Sequence, residues 1–169
     1  MANSKGERMS GFIEIQHDEW VAVGPDVARA HYVDLHHREV ARVHPHERLR
    51  ELPPGPAGPR YESVERVGWR TIRNLFERQE RSDGSVLDHC VSGPHWGRSM
   101  VARFFRSNDG SHAGTLVELT LTQPLRPFVG KLVGRFIRRR LEAGLREFAA
   151  ELKRDVERGY KSERKLRVA

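Results

Sequence analysis

From Phe12 to Val23 apolar and polar side chains roughly alternate. Ile13, Ile15, Trp20 and Val23 fit a half-buried strand and Phe12 departs from the rhythm. Gly24, Pro25 and Asp26 stop it. Pro25 can open a helix and Asp26 suits its first turn. Val27, Ala30, His31 and Val33 to Leu35 follow at helical spacing, and His36 to Val43 reads as a second short helix ended before Pro45. Arg48 to Leu52 is a short strand. The run Pro53, Pro54, Gly55, Pro56, Gly58, Pro59 predicts a loop without regular structure. Tyr61 to Val67 and Trp69 to Glu80 read as two strands meeting near Gly68, or as one bent strand. Ser82-Asp83-Gly84 marks a hairpin, Val86 to Val91 a strand, and Gly93-Pro94 a turn. Trp96 to Phe105 reads as a long strand, Asn108-Asp109-Gly110 as a second hairpin turn, and Gly114 to Thr122 as a strand with Val117, Leu119 and Leu121 on its buried face.

After Pro124 the period changes. Phe128, Leu132, Phe136, Ile137, Leu141, Leu145, Phe148, Leu152 and Val156 recur at three- and four-residue steps. They predict one helix from about Pro127 to Arg158, roughly 48 Å long. Gly130, Gly134 and Gly144 would bend it or admit a close neighbour. Serial antiparallel strands curl through their twist, and an amphipathic helix must bury its stripe against the concave face. One helix is too thin to fill a curved sheet of about seven strands. A mostly apolar cavity between them is the expected consequence, closed at one end by the two short helices.

The 169 residues suit one domain, with residues 1–10 a flexible polar N-terminus, 11–160 the ligand-binding domain and 161–169 a basic tail. One cysteine, Cys90, excludes a disulfide scaffold. No apolar run reaches the roughly 20 residues of a membrane span, and the first ten residues lack a signal-peptide stretch. A cytoplasmic protein is the expectation. The net charge of +7 is not evenly spread: from Arg126 onward there are 14 Lys/Arg and 6 Asp/Glu. Phe136 is the one aromatic among Arg135, Arg138, Arg139 and Arg140 and no nucleic-acid motif surrounds them, so nucleic acid is not expected as a partner. The bland reading is a solvated helix face; peripheral contact with an anionic membrane is the alternative.

The element order resembles the helix-grip fold of the START/Bet v 1-like superfamily (SRPBCC), and within it the polyketide cyclase/dehydrase-like branch. The resemblance rests on Val91-Ser92-Gly93-Pro94 leading into Trp96 to Phe105, on Gly114 to Leu121 (GTLVELTL), and on Pro124 through Leu152 as the closing helix. It implies an α+β fold in which a curved antiparallel sheet of about seven strands wraps a long C-terminal helix, with two short helices after the first strand. It also implies a hydrophobic ligand, polyketide-like or aromatic, inside the grip. Carriers, sensors and cyclases share this fold, so two classes stay open: a cofactor-free cyclase or dehydratase, and a non-catalytic lipid or quinone carrier. Docking on a membrane or partner through the basic helix is a third. A monomer or homodimer fits each.

Candidate chemistry follows from side-chain parity. In the segment Leu87-Asp88-His89-Cys90-Val91, Leu87 and Val91 share the face of His89, while Val86 and Cys90 share that of Asp88. The larger apolar pair turns His89 inward, where it would act as general acid/base in an enolisation or dehydration. Of the strand arginines Arg70, Arg73, Arg98 and Arg103, one is expected inside. Arg98 shares parity with Trp96, Met100, Ala102 and Phe104 and would stabilise enolate charge. The catalytic expectation is therefore His89 with Arg98. Tyr32, His44, His46, Trp69, Trp96, Met100, Phe104, Val117, Leu119 and Phe136 are expected to line the cavity; for Tyr32, Trp69 and Trp96 plain core packing competes. Cys90 reads as a small buried hydrophobe. His31, His36, His37, His44 and His46 crowd sixteen residues. Adjacent His36 and His37 cannot share a helix face and no carboxylate stands at ligand spacing, so no metal or cofactor is expected.

Overall fold

The computed structural model describes residues 11–41, 47–67, 69–109, 112–125 and 129–168. Strand β1 (Phe12–Val21) buries Ile13, Ile15 and Val21 on one face, and Gly24 caps α1 (Pro25–Val33) with Pro25 in its first turn. Helix α2 (Leu35–Ala41) starts at once, because the Asp34 carboxylate accepts the His37 backbone N–H at 2.8 Å. Strands β2 (Glu47–Gly55) and β3 (Gly58–Val67) form a hairpin. The Pro/Gly run is thus strand on both sides of a tight turn rather than an irregular loop. Strand β2 lies at the sheet edge, where proline's missing N–H is tolerated, and the register shifts between Leu52 and Gly55. Strands β4 (Arg70–Glu80), β5 (Val86–Ser92), β6 (Ser99–Asp109) and β7 (His112–Pro124) complete the sheet. Two strands therefore stand here rather than one bent strand, β3 ending at Val67 and β4 beginning at Arg70.

All pairings are antiparallel, in the order β1-β7-β6-β5-β4-β3-β2. First and second strands sit at opposite edges, so the connection carrying α1 and α2 crosses the whole sheet. Helix α3 (Val129–Val168) has 40 residues, about 60 Å at helical rise. It continues through the segment expected as a tail. It also runs unbroken through Gly130, Gly134 and Gly144; a Cβ at Gly134 or Gly144 would meet nothing within 4 Å, so neither serves a close approach.

Helix α3 lies mainly against β1, β7 and α1. Its buried stripe is Leu145, Ala149, Leu152 and Val156, which join Ile13, Val21, Tyr32, Ala102, Val117 and Leu119 in one core. Each such aliphatic side chain contributes about 1.5–3 kcal/mol when fully buried. Lys153 reaches Glu19 at 2.9 Å, Glu157 accepts the Ala22 N–H at 3.1 Å, and Arg138 donates to the Glu14 carbonyl at 3.1 Å. A second, smaller cluster, Leu35, Leu49, Tyr61, Phe76 and Cys90, lies under β2–β5 and α2.

Between the two clusters stands a buried ion pair. Arg78 grips Asp88 with two hydrogen bonds, Nε to Oδ1 at 2.7 Å and Nη2 to Oδ2 at 2.8 Å. Tyr32 donates its hydroxyl to Asp88 Oδ2 at 3.0 Å, and Arg78 Nη1 donates to the carbonyls of Tyr32 and Val33. Arg78 and Asp88 are each 1% exposed or less. Burial alone would lower the Arg78 pKa, but the Asp88 carboxylate outweighs it and holds the guanidinium firmly charged. Burial, then the Asp88 charge, raises the Tyr32 hydroxyl far above its ordinary range, so it stays a donor. The group ties the end of α1 to β4 and β5. No helix among the described residues is long and apolar enough to cross a membrane.

Candidate functional site

Strand pairing fixes which side chains meet on the inner face. Tyr61 faces Phe76, Ser63 faces Asn74, and Glu65 faces both Ile72 on β4 and Glu47 on β2. Met100, Ala102 and Phe104 oppose Leu121, Leu119 and Val117. Arg98 precedes this row with the same parity and donates Nε to Gln123 Oε1 at 2.7 Å. One end of the inner face, where β3 meets β4 and β5 meets β6, is therefore polar: Glu47, Ser63, Glu65, Asn74, Arg98 and Gln123. Its inward side chains Ile72, Arg98, Met100, Leu121 and Gln123 are half-buried, whereas Ala102, Val117 and Leu119 deeper in are fully buried. At this more open end of the grip most side chains are half-buried, although Ser63 and Asn74 are fully buried, and the other end is packed.

His95 enters the cluster from the connection between β5 and β6. Gly93 makes this possible. Its φ is +111°, and a Cβ there would sit 2.5 Å from the Arg73 carbonyl. The turn thereby comes close enough for the His95 N–H to donate to Asn74 Oδ1 at 3.0 Å. With its oxygen so used, Asn74 turns Nδ2 to His95 Nδ1 at 3.1 Å. An amide N–H requires an acceptor, so Nδ1 is unprotonated and the ring proton sits on Nε2. Glu65 Oε1 lies 3.7 Å from the same Nδ1, and Ser63 Oγ donates to Glu47.

The electrostatics suit acid/base work. Burial, then the facing Glu47 charge, raises the Glu65 pKa; Arg98 and Arg140 pull it back. Burial, then the Arg98 charge, lowers the His95 pKa to about 4, so the ring is neutral near pH 7. Burial also lowers Arg98, with Glu65 opposing. Burial raises the Cys90 thiol, which donates to the Ser92 carbonyl at 3.4 Å and is no nucleophile. The site thus combines a carboxyl group with a raised pKa, a neutral imidazole with a defined tautomer, and a guanidinium cation. Such a set can move a proton and stabilise an oxyanion.

The residues expected from sequence are distributed unevenly. Arg98 is on the inner face. His89 is exposed and Asp88 buried, which reverses the predicted parity. The reason is Arg78: a buried cation needs Asp88 beside it, and that requirement outweighs the size difference between the two apolar pairs. Tyr32, Val117 and Leu119 are wholly buried in the packed core. Phe104, half-buried, meets the Tyr32 ring edge-on at 5.7 Å, and Met100 borders the open end. Three aromatic residues expected inside are outside: Trp69 is 84% exposed, Trp96 69% and Phe136 66%. Trp69 sits in the turn between β3 and β4 beneath the Arg70 guanidinium, at 4.6 Å. Trp96 lies in a turn flanked by Gly93 and Gly97, both with positive φ, so strand parity does not run through it. His44 and His46 lie outside the described residues.

Glu65, Asn74 and His95 were not singled out from sequence. The available signal was parity: Tyr61, Ser63 and Glu65 alternate, as do Asn74, Phe76 and Arg78. Arg70 and Arg73 are exposed, and Arg103 pairs with Glu118 at 2.7 Å on the outer face. Described residues also form two clefts. One of about 190 Å³ is lined by Arg38, Glu39, Glu47, Arg48 and Leu49. The other, about 440 Å³, involves Pro25, Asp26, Arg29, Asp83, Gly84, Ser85 and Arg103–Phe105.

No family model matches the chain, and no curated protein matches it in sequence. Solved structures do. A START superfamily protein from Mycobacterium smegmatis superposes with a TM-score of 0.71 at 13% identity, covering 88% of this chain and 99% of that one. The Zhui aromatase/cyclase from Streptomyces sp. R1128 gives 0.62 at 15% identity, covering 92% and 96%. Norcoclaurine synthase from Thalictrum flavum, in complex with dopamine and hydroxybenzaldehyde, gives 0.62 at 13%, covering 90% and 94%. A seven-stranded antiparallel sheet curled against one long C-terminal helix, shared over nearly the full length of these proteins, gives the chain a helix-grip fold like theirs.

Proposed function

We propose that the chain takes a hydrophobic, polyketide-like or aromatic ketone into the open end of the grip and promotes its enolisation toward cyclisation or dehydration. The observation that carries this reading is the convergence of Glu65, Asn74, His95 and Arg98 on one spot of the inner face; a plain carrier needs only an apolar lining. The similarity to an aromatase/cyclase and to a synthase that holds aromatic compounds supports the substrate class. In the proposed step the Glu65 carboxylate takes the proton from the carbon beside the ketone. The carbonyl oxygen gains the negative charge, which Arg98 and the His95 imidazole stabilise. In a dehydration the C–O bond then breaks and the hydroxide leaves as water with the proton that Glu65 held. Water exclusion and positioning supply the rest, without a cofactor.

The test uses native mass spectrometry of freshly purified protein and hydrogen–deuterium exchange of a linear aromatic 1,3-diketone followed by NMR. The expected result is a retained small molecule and accelerated exchange that Glu65→Gln and Arg98→Met each slow by about 10²–10³-fold. A retained lipid or quinone with no accelerated exchange would replace the enzyme by a carrier. Neither retention nor acceleration would overturn both.

A second reading has its own observation. Phe12, Trp69, Trp96 and Phe136 are all at least 62% exposed, and Phe12 and the Trp96 turn come together at Pro124, which pairs with Phe12 and abuts Gly97. Aromatic side chains on a rim beside the arginines of α3 complement an anionic bilayer, which would let a greasy ligand pass without crossing water.

A further inference from the structure

The geometry points to a divalent metal site, with zinc as the fitting ion, made by His31, His37 and Asp155 where the two short helices meet α3. His31 closes α1, His37 lies on α2, and Asp155 comes from α3, 118 residues after His37. One ligand atom from each lies within 4.8 Å of the other two. His37 Nε2 and Asp155 Oδ2 are 2.9 Å apart, and the two imidazoles meet edge-on with centroids 5.3 Å apart. Zinc bonds of about 2.0–2.2 Å hold tetrahedral ligands about 3.3 Å apart, so closing this set takes side-chain rotations of about 1 Å. All three side chains are half-buried, which leaves the fourth position to water.

Gly159 supplies an independent observation. It stands one turn after Asp155 in the body of a helix, where glycine costs about 1 kcal/mol against alanine. A Cβ at this position would lie 2.6 Å from His31 Cε1 and 3.0 Å from His31 Nε2. The missing side chain is the space that the His31 ring occupies beside Asp155. An ion pair between His37 and Asp155 alone would need neither His31 nor that gap. Two imidazoles and one carboxylate are a borderline nitrogen and oxygen donor set, which suits zinc over calcium or magnesium. The expectation of no metal rested on the absence of a nearby carboxylate in sequence; the fold brings one from the far end of the chain. Bound there, zinc would fasten the α1–α2 connection to α3 and hold α2 in place ahead of Glu47.

The experiment is zinc titration of the full chain against a fluorescent zinc chelator, with the melting temperature measured with and without zinc and circular dichroism as the folding control. The expected result is one zinc per chain and a raised melting temperature. His31→Ala, His37→Ala and Asp155→Asn should each lower affinity by more than the roughly 10–100-fold that loss of an outer-shell partner costs, and Gly159→Ala should weaken it by displacing His31. His36→Ala, and the double variant His44→Ala/His46→Ala, should leave it unchanged. Absence of stoichiometric binding, or binding lost only in the His36 or His44/His46 variants, would overturn the assignment.

Discussion

Protonation of His95 offers the sharpest check on the open-end cluster. Burial and the Arg98 charge hold its folded-state pKa at about 4, against about 6.5 in an unfolded chain. The folded protein therefore binds fewer protons at this residue than the unfolded one whenever the pH lies below about 6.5. Stability linked to His95 is fully present above pH 6.5, falls as the pH drops from there toward 4, and levels off below. The depression corresponds to about 3 kcal/mol across that window. Its side chain is 18% exposed, so solvent screens little of this. Glu65 acts in the opposite sense, because its raised pKa favours folding in acid and that contribution is lost as the pH rises through the raised value. The two groups are 3.7 Å apart and couple. The measurement is therefore best made in a Glu65→Gln background, comparing it with Glu65→Gln/His95→Gln. Urea unfolding at pH 4, 5, 6 and 7.5 should show the His95-containing protein losing about 3 kcal/mol more than the double variant between pH 7.5 and 4. Parallel pH profiles, or an imidazole that titrates near 6.5 by NMR, would refute the account of a buried neutral ring.

Other outcomes follow from single contacts. Asp88→Asn should cost about 3–5 kcal/mol in urea unfolding, because it strands the buried Arg78 cation, while Arg78→Met/Asp88→Leu should recover most of the loss; a single substitution costing under 1 kcal/mol would contradict the burial. Gly144→Ala should add about 0.5–1 kcal/mol, since its Cβ meets nothing and helical glycine is unfavourable; unchanged or lower stability would mean that the helix surface there is occupied. Trp69→Ala/Trp96→Ala should leave thermal stability within about 0.5 kcal/mol of the parent, as both rings are exposed. The same variant should lose cosedimentation with phosphatidylserine vesicles if the rim docks on anionic bilayers, and the parent's binding should fall steeply with added salt.

The order of elements was legible because each was encoded locally. Alternation marked β1, β5 and β7, Ser82-Asp83-Gly84 marked its hairpin, and the three-four spacing of Leu145, Phe148, Leu152 and Val156 marked α3. Errors arose where a distant residue decided the outcome. On β5 the pairs Leu87/Val91 and Val86/Cys90 differ by only a few methylene groups, at about 0.8 kcal/mol each. The structure decides the inward face by the charge of Arg78, a residue on another strand that the sequence pattern did not mark as buried. Trp96 was carried into β6 because nothing local distinguished Gly93 and Gly97 from strand glycines. Asp155 was invisible as a partner of His37, because 118 residues separate them and only the crossing of α1–α2 over the sheet brings them together. Periodicity reports a segment's own burial and not which remote charge it must satisfy.

The two halves of the interior answer different demands. Under α3 the core is largely apolar, and the buried Arg78–Asp88 pair at its edge, with Tyr32, is satisfied by five hydrogen bonds within the protein. That is how a buried charge is kept when only the fold needs it. At the open end the pairing is looser. Two carboxylates, Glu47 and Glu65, face each other across neighbouring strands, and burial with the Glu47 charge raises the Glu65 pKa. Glu65 approaches His95 at 3.7 Å, beyond hydrogen-bond length, and His95 gives up its charge at neutral pH. Apolar residues at Glu65, Asn74 and His95 would bury as well as Tyr61 and Phe76 do beside them, at lower cost. A fold that satisfies a buried ion pair fully in one place and sets a carboxyl, an imidazole and a guanidinium side by side in another carries polar groups that packing alone does not require, which is what the proposed function needs.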